Sequence, residues 1–69
     1  MNSPSLTANG QCIEAKLPCS LEAFLQSQNL IPHAVVVELN GEAVAPSEFS
    51  VRRLHDGDRL EIVQIVAGG

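Results

Sequence analysis

The sequence holds little that could carry chemistry of its own. Cysteine occurs only as Cys12 and Cys19, and histidine only as His33 and His55. A structural zinc site wants four clustered ligands, so with these as the whole supply no metal site is expected. Basic residues are equally few: four Lys and Arg stand against eight Asp and Glu, for a formal charge of −4 and a pI near 4.8. An acidic surface repels phosphate backbones and anionic bilayers, which argues against nucleic acid and membrane as partners. No apolar run approaches the ~18 residues that a membrane span requires. The N-terminus lacks the pattern of a secretory signal, so the expected setting is the cytoplasm, with both thiols reduced. The 69 residues also allow no more than one small domain. A chain so short buries only about 60% of its unfolded surface. That excludes closed barrels, doubly wound sheets and enzymes with a deep cleft of their own. Yet 45% of the residues are hydrophobic, too many for a disordered chain.

What is present is a clear succession of local signals. After a polar, Pro-containing stretch at 1–4, expected to fray, Asn9-Gly10 marks a two-residue type I′ hairpin. Such a loop sets Ala8 opposite Gln11, Thr7 opposite Cys12 and Leu6 opposite Ile13. Leu6, Ile13, Ala15 and Leu17 then share one face, and the hairpin is predicted to run from Ser5 to Leu17. Pro18 ends it, and Ser20 is a natural N-cap for a helix whose Leu21, Phe24 and Leu25 recur at i, i+3 and i+4. Glu22 favours the first turn, and Asn29 is a stop.

Beyond Pro32, the β-branched run Val35-Val36-Val37 predicts a strand ending at Leu39, and Asn40-Gly41 turns a second hairpin with Val37 opposite Val44. Pro46-Ser47-Glu48-Phe49 reads as a helical turn with Phe49 plugging the core. Asp56-Gly57-Asp58 is a turn, and the last strand is predicted over Arg59–Val66. Its alternation puts Leu60 and Ile62 on one side and Glu61, Val63 and Ile65 on the other.

Two hairpins flanking a helix, then a final strand, assemble into a mixed sheet of four to five strands covered on one face by the helix. With the last strand parallel to the first, in the middle of the sheet, this is the α+β, ubiquitin-like β-grasp arrangement. The domain is expected at residues 5–66, followed by a flexible tail at 67–69.

Catalysis finds no constellation here. His33 and His55 flank turns and read as solvated loop residues, and Arg52-Arg53 reads as a solvated face or a docking rim. Asp56 and Asp58 are a turn pair, since two carboxylates alone do not fix an ion. Cys19, just ahead of a helix start that can lower a thiol pKa, is a better candidate for a reactive thiol than Cys12, but without a paired base it reads as an inert thiol. The chain's distinctive feature is its end, Ala67-Gly68-Gly69 issuing from a strand. Glycine lacks Cβ, so such a segment can pass through a channel too tight for side chains and present its α-carboxylate inside another enzyme. A carboxylate is a poor electrophile and must first become an acyl-adenylate, for which ATP on a partner is the natural source.

Three stretches together resemble the ThiS family of thiamine-biosynthesis sulfur carriers: Val37-Glu38-Leu39-Asn40-Gly41-Glu42 with Val44 and Pro46, then Asp56-Gly57-Asp58-Arg59-Leu60-Glu61-Ile62-Val63, then Ala67-Gly68-Gly69. The resemblance implies a carrier that is not itself an enzyme and binds no cofactor. In that family the terminal glycine, here Gly69, is adenylated by a ThiF-like adenylyltransferase using ATP. A relay headed by a cysteine desulfurase converts it to a thiocarboxylate, and a ThiG-like thiazole synthase takes the sulfur. Ala67 and Gly68 would thread the partner's active site. Ser47 and Phe49 depart from the family's Arg after the proline and its larger aromatic, differences that bear on partner contacts. Val36, Val63 and Ile65, on the sheet face away from the helix, are the expected docking patch. A carrier for another pathway, such as molybdopterin synthesis, shares the shape, and a β-grasp binding adaptor would have the same scaffold with incidental glycines.

Overall fold

Both Asn-Gly pairs turn hairpins, because each supplies two successive residues with positive φ: Asn9 at 51° and Gly10 at 82°, Asn40 at 51° and Gly41 at 87°. A computed structural model of the chain describes residues 3–65. The first hairpin joins β1 (Ser5–Ala8) to β2 (Gln11–Glu14), with Leu6 opposite Ile13, Thr7 opposite Cys12 and Ala8 opposite Gln11. β2 is shorter than the predicted strand to Leu17. The reason lies across the ladder, where the Pro4 carbonyl accepts from the Ala15 N–H at 3.2 Å but its ring nitrogen has no proton to return.

Helix α1 (Leu21–Ser27) begins where predicted, with the Ser20 hydroxyl accepting from the Ala23 N–H at 3.0 Å. The preceding N–H groups are also used: Leu21 donates to the Arg52 carbonyl and Glu22 to the Phe49 carbonyl, at 2.8 and 2.9 Å. At the far end Asn29 sits at φ 60°, with its N–H on the Gln26 carbonyl and that of Leu30 on the Leu25 carbonyl, a Schellman closure. Sequence periodicity gave no sign of a second, two-stranded ribbon, β3 (Cys19–Ser20) with β6 (Arg53–Leu54), nor of a 3₁₀ turn at Pro32–Ala34. The ribbon and the Phe49–Arg52 carbonyls hold the helix start against the rest of the domain.

The second hairpin joins β4 (Val35–Leu39) to β5 (Glu42–Val44), with Val37 opposite Val44, and β7 (Arg59–Gln64) completes the sheet in the order β2-β1-β7-β4-β5. β7 is central, parallel to β1 and antiparallel to β4. This is the ubiquitin-like β-grasp architecture. The helix-facing side buries Leu6, Val35, Val37, Leu39 and Leu60 against Leu21, Phe24 and Leu25. Phe49, from the turn at Pro46–Glu48, closes the core at 1% exposure. Among the described residues no helix is long and apolar enough to cross a membrane.

The turn asparagines do a second job. Asn9 Nδ2 donates to the Ile62 carbonyl at 3.0 Å and its Oδ1 accepts from the Ile62 N–H at 2.7 Å, so the carboxamide extends the β1–β7 ladder as a peptide would. Asn40 Oδ1 accepts from the Arg59 N–H at 2.9 Å. Each hairpin turn thereby fastens one side of β7. Asn9→Gly keeps the positive φ but loses both side-chain bonds, and urea denaturation should show about 1–2 kcal/mol of lost stability. Asn9→Ala should lose roughly 1 kcal/mol more, because alanine resists the left-handed region.

Candidate functional site

The buried Leu60 and half-buried Ile62 of β7 face the helix, so Arg59, Glu61 and Val63 stand on the opposite, uncovered side of the sheet. Antiparallel register places Val36 of β4 directly across from Val63. Ile65 follows on the same side and is held by its N–H on the Ala34 carbonyl at 2.8 Å. The predicted docking residues are therefore brought together, with Val36 51%, Val63 63% and Ile65 56% exposed. The patch extends to Ile31, 61% exposed, which lines a shallow hollow with Ala34, Val35, Gln64 and Ile65. Ile31 lies in an irregular link, where no alternation could have assigned it a face.

On this uncovered side the row beside Val36 and Val63 is formed by Glu38 and Glu61, opposite one another and both exposed. Ala43 of β5 lies next to Glu38 in the same row. The surface is thus an apolar patch bordered by two carboxylates, with Ile65 the last described residue. Ala67, Gly68 and Gly69, and Val66 with the predicted end of β7, lie outside the described residues.

Other candidates resolve into structural roles. Asp56 Oδ1 accepts from the Ser5 N–H at 2.8 Å, and Asp58 accepts from the His55 N–H at 2.8 Å and from Asn40 Nδ2 at 3.1 Å, so both carboxylates build the turn. His33 and His55 are exposed. Arg52 is more engaged than a solvated face implies, lying 3.6 Å from Glu42 and 3.4 Å from Glu48 and so tying β5 to the neighbouring turn.

Cys19 precedes the helix as expected. It is half-buried against the core, and burial pushes its thiol pKa up, a rise only partly opposed by the nearby Arg53 guanidinium. Burial thus works against a reactive thiolate, in line with the reading of Cys19 as an inert thiol. Cys12 is exposed on β2, and both cysteines are free. Among the described residues no three His, Cys, Asp or Glu side chains are grouped to hold a metal.

The profile of the ThiS family matches residues 6–69. The crystal structure of the thiamine biosynthesis protein ThiS from Geobacter metallireducens superimposes with a TM-score of 0.78 at 28% identity, covering 94% of this chain and 99% of that one. Its solution structure gives 0.76 at the same identity, covering 94% and 87%. The protein ycf40 of Pyropia yezoensis is 34% identical over 65 residues, 94% of this chain and 92% of its own length. A thiazole synthase of Paramagnetospirillum magneticum is 34% identical over 64 residues. That match takes in 93% of this chain but only 20% of the synthase, so the chain spans about one-fifth of that relative.

Proposed function

Because the chain belongs to the ThiS family, we propose that it is a sulfur carrier of thiamine synthesis whose working group is the carboxyl of Gly69. The observation that carries the reading is the join of scaffold to surface: the central strand delivers the chain to Ile65 inside an uncovered apolar patch. A partner that docks on the patch has the following four residues within its reach. The similarity to a segment of a thiazole synthase supports the same pathway.

In the proposed cycle a ThiF-like adenylyltransferase binds the sheet face and joins the Gly69 carboxylate to ATP, releasing pyrophosphate. A persulfide of a cysteine-desulfurase relay then attacks the acyl-adenylate and displaces AMP, and a relay thiol cleaves the acyl disulfide so formed, closing a disulfide on the relay and releasing the thiocarboxylate. The thiocarboxylate passes to a ThiG-like thiazole synthase, which takes the sulfur and returns the carboxylate with an oxygen from its substrate or water in exchange. The domain contributes docking and position. Sulfur held as an acyl-bound anion reaches a high local concentration only where the protein binds, which free sulfide cannot do. ATP belongs to the partner, and the cycle belongs in the cytoplasm.

Intact-mass measurement after incubation with ATP, adenylyltransferase and a sulfur source tests the chemistry. A gain equal to exchanging one oxygen for sulfur, localised to the C-terminal peptide, is expected. No such gain, or a mature chain that continues uncut past Gly69, overturns the reading. Val63→Asp tests the surface: a carboxylate in the patch should weaken binding to the adenylyltransferase more than tenfold, about 1.4 kcal/mol. Its cost to folding should stay at about 1 kcal/mol, since Val63 is 63% exposed and its main neighbour on that face is the likewise exposed Val36.

A further inference from the structure

We infer that the facing carboxylates of Glu38 and Glu61 form a seat for an arginine of the adenylating partner, so that the docking surface is read by charge as well as by apolar contact. The inference rests on the sulfur-carrier reading and adds the chemistry of the partner's surface to it. Like charges directly opposite on a sheet are destabilising, and here they occupy the central β4–β7 pairing. Among the described residues nothing offsets them. Among the described residues no cation lies within ion-pairing distance of either carboxylate, and Arg52 is spent on Glu42 and Glu48. Arg59, two positions before Glu61 on the same side of β7, makes no ion pair with it. The fold thus carries a repulsion in its middle that an incoming cation would relieve.

The surroundings suit arginine. A planar guanidinium presents five donors and can bridge two carboxylates, where an ammonium acts as a point charge. Its aliphatic stem would lie along Val36 and Val63 in the adjacent row, and the small Ala43 beside Glu38 leaves the approach open. A second copy of this chain is a poor occupant: the face would meet its own carboxylates, on a protein with a net charge of −4.

The test titrates the adenylyltransferase, with ATP, against the wild-type protein, Glu38→Gln/Glu61→Gln and Glu38→Lys at low and high salt, with melting temperatures measured alongside. The double variant should bind at least tenfold more weakly at low salt, lose most of its salt dependence, and melt no lower than wild type. Glu38→Lys should melt higher, because the new lysine faces Glu61, and yet bind more weakly still. These opposed movements are what a purely structural role could not produce. A double variant that binds with wild-type affinity and salt slope, while wild type is still adenylated, overturns the seat and leaves the carrier reading standing. Wild-type protein that the enzyme neither binds nor adenylates overturns both. Self-association of the wild type that Val63→Asp abolishes gives the face to a second copy and likewise overturns the seat.

Discussion

Deletion of Gly69 abolishes thiocarboxylate formation in the expected outcome, and the protein still melts where the full chain does. Among the described residues every buried core residue lies between Leu6 and Leu60, so the loss of one residue at the end is expected to leave the core packing intact. What it removes is the acyl group at its proper reach. The shortened chain ends at Gly68, still a glycine carboxylate, but displaced by a full residue, about 3.3–3.6 Å of extended chain. Attack on an activated phosphate needs the reacting atoms within about 3–3.5 Å, so a shift of that size takes the carboxylate out of range. Mass spectrometry of the C-terminal peptide and a thermal melt of the same sample check the two halves together. A truncated protein that still acquires sulfur at wild-type rate would falsify the assignment of Gly69.

Phe49→Ala is expected to do the reverse, weakening the scaffold while leaving the working end untouched. Phe49 is 1% exposed and closes the core, and its carbonyl also accepts the Glu22 N–H at the start of the helix. Truncating a buried phenylalanine costs about 3–5 kcal/mol. A domain of 69 residues has roughly 3–10 kcal/mol in total at ordinary stability per residue. The variant should therefore lose about a third or more of its stability, seen as a large fall in the urea midpoint. Retention of nearly all of the wild-type stability would show that the neighbouring side chains collapse into the space.

The parts of the fold that were legible in the sequence are those set by local chemistry. Asn9-Gly10 and Asn40-Gly41 fixed both registers, because a two-residue I′ loop leaves no freedom in pairing. Ser20 marked the helix start because its hydroxyl replaces a missing backbone acceptor. The β3–β6 ribbon was not legible: two-residue strands have no period, and Cys19 meets Leu54 only through the completed fold. The same divide runs through the site. Val63 and Ile65 were visible because alternation along one strand gives their side. The Glu38–Glu61 pairing needs the β4–β7 register, which joins segments far apart in the chain. The half-burial of Cys19 was likewise not legible, because proximity to a helix start is local, whereas the burial that raises its pKa comes from distant residues.

The placement of β7 has a mechanical consequence. In the proposed cycle, an enzyme that draws the chain's end into its active site would pull lengthwise on a strand gripped along both flanks. Ladder bonds to an antiparallel neighbour run across the strand, so the tension shears many of them at once instead of peeling them singly. The Asn9 and Asn40 carboxamides act as extra rivets on the same strand. A domain held in this way would withstand repeated pulls of that kind without unravelling.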